Sequence, residues 1–200
     1  MYRFAKTILV FLLKIFRIQY QVVYRERIPK SGPFVAVCTH RTWLDILFLA
    51  LALYPQPIHF MAKQELFQNK FIGKLLTSLH AFPVNRNNPG PGVMKNSIKR
   101  LKDGHIVGIF PSGTRTMENN SLKKGAAWIA NKANVPILPA VYHGPLSWRQ
   151  LVREKKITIL ICEPIDLKQY DEQKDIVQYA TQKINDSFIK LENEWNRSSH

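Results

Sequence analysis

His40 and Asp45 stand five positions apart in Thr39-His40-Arg41-Thr42-Trp43-Leu44-Asp45, a spacing that can make a proton-transfer pair. Histidine is the usual general base near neutral pH, because its free pKa is about 6.5. A carboxylate that takes the hydrogen of one ring nitrogen fixes the tautomer and leaves the other nitrogen open to a substrate proton. On one continuous helix five residues turn about 140°, so the two side chains would face apart. They meet if His40 lies in a loop and Asp45 in the first helical turn, with Thr42 as N-cap and the helix starting at Trp43. The same residues have a purely structural use. Thr42 and Asp45 have capping-box spacing, which would make Asp45 a ligand of the helix terminus and His40 an ordinary loop histidine.

The neighbouring segments suit a strand-to-helix junction. Pro33–Cys38 is an apolar run that reads as a buried strand, and Ile46–Leu51 reads as a helix. Ala81–Arg86 reads as a short strand ending in an arginine. His105–Phe110 is a strong buried strand that runs into Pro111-Ser112-Gly113-Thr114-Arg115-Thr116. If these strands are parallel, their ends line one rim, where ligand sites of α/β sheets gather. Two arginines on that rim suit a phosphate, which guanidinium groups bind bidentately. Taken singly, an arginine at a strand end is more often a surface ion pair. Cys38 and Cys162 both lie in strand-like runs without a second cysteine at metal-ligand spacing, which reads as buried, reduced thiols. Alternation on a buried strand explains Cys38 better than a nucleophile paired with His40.

Around these residues the chain alternates strand and helix. Expected strands begin near Val22 and cover Pro33–Cys38, Ile58–Ala62, Ala81–Arg86, His105–Phe110, Val135–Tyr142 and Lys156–Cys162. Pro136 and Pro139 point to an edge or bulge for the sixth of these. Expected helices run to Leu53, to about Leu79, over Val93–Lys102, over Leu122–Asn134 and from about Lys168 to Trp195. The pattern predicts a single α/β domain with a largely parallel central sheet flanked by helices. At 200 residues the chain is long enough for one substantial core.

Residues 1–24 stand apart as an N-terminal amphipathic helix, with residues 25–200 as the domain proper. Arg3, Lys6, Lys14 and Arg17 fall within an arc of about 80° on a helical wheel, and most of the remaining circumference is Phe, Ile, Leu and Val. The apolar run is too short and charged to span a bilayer comfortably and lacks a clear cleavage site. It suits a helix lying in a membrane interface. Four cations at about 1 kcal/mol each near an anionic leaflet would shift partitioning about a thousandfold. The alternative is a helix that simply packs on its own domain. The formal net charge of +15 likewise calls for an anionic partner. The basic residues are scattered and follow no nucleic-acid motif, so nucleic acid is not expected.

Four segments taken together resemble the signatures of the lysophosphatidate acyltransferases. His40 and Asp45 match the His-x-x-x-x-Asp motif; Val84-Asn85-Arg86 resembles the second, and Phe110-Pro111-Ser112-Gly113-Thr114-Arg115 the Phe-Pro-Glu-Gly-Thr-Arg motif. Val135-Pro136-Ile137-Leu138-Pro139 matches the fourth, and Lys63-x-Glu65-Leu66 is also similar. The resemblance implies an enzyme that moves an acyl group from an acyl-carrier-protein or coenzyme A thioester to the free hydroxyl of 1-acyl-sn-glycerol-3-phosphate. It implies no bound cofactor and no metal. His40 would be the base and Asp45 its orienting partner. Arg86, Arg115, Ser112, Gly113 and Thr114, with Lys63, would bind the acceptor, and Gly113 would permit close backbone approach. The expected location is the cell membrane, peripheral or monotopic on the cytoplasmic face. Ser112 and Asn85 replace two carboxylates of the common pattern, which leaves another lysolipid or glycerol-3-phosphate open as acceptor. Two other readings remain, a Ser112-dependent lipid ester hydrolase and a non-catalytic lipid-binding protein. The hydrolase lacks the Gly-x-Ser-x-Gly elbow.

Overall fold

In Val35–Cys38 (β2) every residue is buried; Val35 and Val37 join one core, Ala36 and Cys38 the other. A strand that is apolar on both faces must be covered on both faces, as interior strands of parallel sheets are. The computed structural model describes residues 2–85, 91–110, 120–170 and 175–198. Seven strands form one sheet: β1 (Gln19–Val23), β2, β3 (Ile58–Lys63), β4 (Ala81–Val84), β5 (Ile106–Ile109), β6 (Ile137–His143) and β7 (Lys156–Ile161). Their order is β1-β7-β6-β2-β5-β3-β4. The run from β6 to β4 is parallel throughout, β7 is antiparallel to β6, and β1 is parallel to β7. The carboxyl ends of β2, β3, β4, β5 and β6 therefore share one rim.

Helices cover both faces. Leu13 of α1 (Tyr2–Ile15), Leu44, Phe48 and Leu49 of α2 (Leu44–Ala52) and Leu151 of α6 (Trp148–Glu154) pack with Ala36, Cys38 and Tyr142. On the other face Leu101 of α4 (Pro91–Lys102), Ala126 and Ala130 of α5 (Asn120–Ala133), and Ala180, Ile184 and Phe188 of α7 (Ile176–Ser198) pack on Val35, Val37 and Val107. The remaining helix, α3 (Lys70–Ser78), stands beside edge strand β4. The fold is thus the expected single α/β domain with a mostly parallel sheet.

Three local expectations differ. Of the edge or bulge expected for the strand with two prolines, the edge is absent, because β6 lies between β7 and β2. The bulge is present, since three steps along β6 from Ala140 to Ile137 face four from Ile161 to Ile165. Pro136 precedes the strand, and Pro139 sits where the β7 ladder has already ended at the Ala140–Ile161 pair. Continuing that register sets Pro139 opposite Cys162, where its missing N–H leaves a single bond, from Cys162 N to the Pro139 carbonyl at 2.9 Å. Helix α6 is not evident in the sequence pattern; its seven residues are too few to display a period, although Ser147 caps it by accepting from Gln150 N. Helix α7 begins at Ile176 rather than near Lys168, after a separate 3-10 turn at Leu167–Tyr170.

Helix α1 ends at Ile15, and Gln19–Val23 already runs in the sheet, ahead of the expected division at residue 24. The helix packs one side on the domain through Leu9, Val10 and Leu13, and Tyr2 Oη donates to Ala50 O at 3.2 Å. Phe4, Ile8, Phe11 and Ile15, spaced by four, three and four, face away from the domain with exposures of 64, 43, 61 and 55%. One face of the segment is packed on its own domain, and the opposite apolar stripe is uncovered. No described helix is long and apolar enough to cross a membrane.

Candidate active site

The site is built where β2 ends. Thr39 fastens the chain to β6: its N–H donates to Ala140 O at 3.3 Å, and its Oγ1 accepts from Tyr142 N at 3.2 Å. The chain then turns through His40–Thr42 and enters α2 at Leu44, with Trp43 rather than Thr42 in the N-cap position. Thr42 Oγ1 makes only a long contact with Leu44 N, at 3.5 Å. The stronger ligand of this loop is Asp45, in the first turn of α2. Its side chain is fully buried, and Oδ2 accepts from Arg41 N at 2.5 Å and Thr42 N at 3.0 Å.

The same Oδ2 lies 3.6 Å from His40 Nδ1, and the His40 side chain is 13% exposed. That distance is an electrostatic contact, longer than a formed hydrogen bond. Asp45 therefore ties the loop to the helix and faces the imidazole with the same oxygen, so the capping and pairing readings hold together. The magnitudes favour a purpose for the imidazole. Burying a carboxylate costs several kcal/mol, whereas hydrogen bonds to a charged acceptor contribute about 1.5–3 kcal/mol each. Two backbone donors roughly meet that cost, and Asp45 Oδ1 has no hydrogen-bond partner among the described residues. Positive charge arising on His40 would find an under-satisfied anion beside it.

Phe110, at the end of β5, sets its ring 4.9 Å from the His40 ring, tilted by 48°, and stacks on Phe60 of β3 at 5.9 Å. The third motif thus opens against the imidazole, through the adjacency of β2 and β5. Lys63, exposed at the end of β3, is in register with Val84 at the end of β4, so the second motif begins on the same rim. Strand spacing puts β3 about 10 Å and β4 about 14 Å across the rim from β2. Arg86, Ser112, Gly113, Thr114 and Arg115 lie outside the described residues. Thr39 and Phe110 are two positioning residues that the sequence reading did not single out for the site. The signal available for both was immediate adjacency to a motif.

Cys38 is no nucleophile. Burial, followed by the charge of Asp45, holds its thiol well above the ordinary range, so it stays protonated. Burial also raises Cys162, to about 12. Tyr142 is likewise pushed up by burial and then by Asp45, and its hydroxyl donates to Pro145 O at 2.8 Å. Among the described residues no group of three or more His, Cys, Asp or Glu side chains is placed to hold a metal.

The Acyltransferase family pattern matches residues 19–143, which hold β1 to β6 and the whole rim. This chain belongs to that family. It is 43% identical over 195 residues to a 1-acyl-sn-glycerol-3-phosphate acyltransferase of Bacillus subtilis, covering 96% of this chain and 98% of that one. It is 34% identical over 173 residues to the protein of that name from Streptococcus pneumoniae, covering 84% of this chain and 64% of that one. The crystal structure of PlsC, the 1-acyl-sn-glycerophosphate acyltransferase of Thermotoga maritima, superposes with a TM-score of 0.67 at 25% identity, over 90% of this chain and 75% of that chain.

Proposed function

We propose that this acyltransferase forms phosphatidate by moving a fatty acyl group from a thioester to the free hydroxyl of 1-acyl-sn-glycerol-3-phosphate. The observation that carries the reading is the fully buried Asp45 carboxylate 3.6 Å from His40 Nδ1, at a strand end of a chain 43% identical to a relative bearing that activity in its name. Asp45 holds the imidazole through Nδ1, and Nε2 takes the hydroxyl proton as the oxygen attacks the thioester carbon. The new C–O bond forms, the C–S bond breaks, and the imidazolium returns its proton to the departing thiolate. No acyl-enzyme is formed, and none of these steps requires a metal.

In this reading Arg86 and Arg115 hold the acceptor phosphate, helped by Lys63 from the neighbouring strand end. Ser112, Gly113 and Thr114 shape the acceptor's place beside His40. Positioning of this kind supplies a large part of the rate of a two-substrate reaction. The donor is a coenzyme A or acyl-carrier-protein thioester. The bilayer that contains the acceptor is met by the outward stripe Phe4, Ile8, Phe11 and Ile15, flanked by Arg3 and Lys14, as peripheral association on the cytoplasmic face. The test is to incubate purified protein with the lysolipid and each thioester, following thiol release and phosphatidate together. Equal amounts of thiol and phosphatidate are expected. Thiol release without lipid product, or an acyl group trapped on the protein, would overturn the reading.

A further inference from the structure

Helix α3 is built inside out. Gly73 is its one buried residue, and a Cβ there would stand 2.9 Å from Phe67 O in the preceding 3-10 turn, Gln64–Phe67. The helix is pressed onto that turn along its glycine side. Phe71 and Leu75 lie about half a turn round the helix from Gly73, and Ile72 a little over a quarter turn. They are exposed by 88, 48 and 44%, and Leu66 of the turn adds a fourth large side chain at 44%. These four cluster within ten residues, whereas uncovered apolar side chains on soluble surfaces are normally scattered singly. Exposed Lys63, Lys70 and Lys74 border them, and the only carboxylate from residue 63 to residue 79 is Glu65.

The surface has a definite place. It starts where β3 reaches the rim that bears His40, and α3 returns toward His80, whose ring lies 5.6 Å from that of Tyr2 at the start of α1. The chain leaving α3 therefore touches the start of α1 at the end of the sheet opposite that rim. We propose that α3 is a second membrane-docking element. Leu66, Phe71, Ile72 and Leu75 enter the headgroup–acyl boundary of an anionic bilayer, and Lys63, Lys70 and Lys74 meet lipid phosphates there. The inference rests on the reading above in taking the acceptor to be a bilayer lipid. It adds a second contact, along the edge of the sheet beside β4, that begins where β3 reaches the catalytic rim. The lysines suit any anionic partner; the four large exposed apolar side chains beside them, and the contact of the following chain with the start of α1, favour a bilayer over an acidic protein.

Both native cysteines are buried, at 0 and 2% exposure, so a thiol-reactive fluorophore reports only on an introduced cysteine. The full chain carrying Phe71→Cys, and separately Ile8→Cys, is labelled with an environment-sensitive dye. Each is mixed with phosphatidylcholine vesicles with and without phosphatidylglycerol. The label at position 71 should brighten and shift to the blue on the anionic vesicles, less so at high salt. Phe71→Ser with Leu75→Ser should lower vesicle partitioning about tenfold with only a small loss of melting temperature, since Phe71 is almost wholly exposed and Leu75 about half. That double variant should lose activity on vesicle-borne acceptor and keep it on a water-soluble short-chain one. A silent label at position 71 beside a responsive one at position 8 overturns the proposal and leaves α1 as the membrane contact. Silence at both positions overturns the bilayer reading as well. A response at position 71 to soluble acyl-carrier protein alone, or a double variant that partitions like the parent, overturns it too.

Discussion

The two ends of the sheet each display histidine, with opposite surroundings. At the carboxyl-end rim His40 faces a buried carboxylate, with Phe110 over its ring. At the other end His59, His80 and His105, from the starts of β3, β4 and β5, pack on one another, with ring centroids 5.0 Å apart for His59–His80 and 4.6 Å for His59–His105. Burial, then the His105, His80 and Arg100 charges, brings His59 down to about 4, and burial likewise lowers His80. Ring count does not make a base. An anionic partner does, because it stabilises the imidazolium that proton transfer creates, whereas clustered cations penalise it. One histidine faces a buried aspartate, whereas burial and neighbouring charges press His59 and His80 toward the neutral form.

Several experiments probe that contrast. The largest expected effect is that of His40→Ala, which should lower phosphatidate formation by about 10²–10⁴-fold with the melting temperature preserved. Near-normal turnover would remove the distinction between the two ends. Asp45→Asn keeps an acceptor oxygen for the Arg41 and Thr42 amides but removes the charge, so activity should fall about a hundredfold while the fold persists. Asp45→Ala should also cost about 1–3 kcal/mol of stability, because the part-buried Arg41 and buried Thr42 amides lose their acceptor, read by denaturant titration.

Gly108→Ala tests the aromatic support of His40. The added Cβ would lie 2.7 Å from the Phe60 ring, which stacks on Phe110. A loss of about 1–3 kcal/mol is expected in the same titration, together with reduced kcat that Phe60→Leu partly restores. A loss of stability without any change in kcat would mean that Phe110 does not hold the imidazole.

The smallest effect belongs to the other end. His59 titrates at about 4 in the folded chain and near 6.5 when unfolded, so the unfolded state binds more protons between those values. Its contribution to stability is intact above the unfolded value and is lost as pH falls toward 4. His59→Leu should therefore flatten the decline of melting temperature between about pH 7 and about pH 5 by a few degrees. An unchanged slope would show that the cluster does not resist protonation.

Much of this was legible in the chain itself. Doubly apolar segments such as Val35–Cys38 announce strands of a covered sheet, and the switch to helical spacing after Trp43 puts His40 at a junction. Those are local patterns, set by side-chain period. The motif residues were equally visible as types in order. Three features depended on assembly. Strand order seats Phe110 on His40 and lets Pro139 lie within a central strand, and no segment's period encodes which strands are neighbours. The double duty of Asp45 required the loop to fold back so that two amides and an imidazole share one oxygen. The outward stripes of α1 and α3 became surfaces only once packing had chosen which side of each helix the domain would cover, because an amphipathic sequence has an apolar face whether or not the fold buries it.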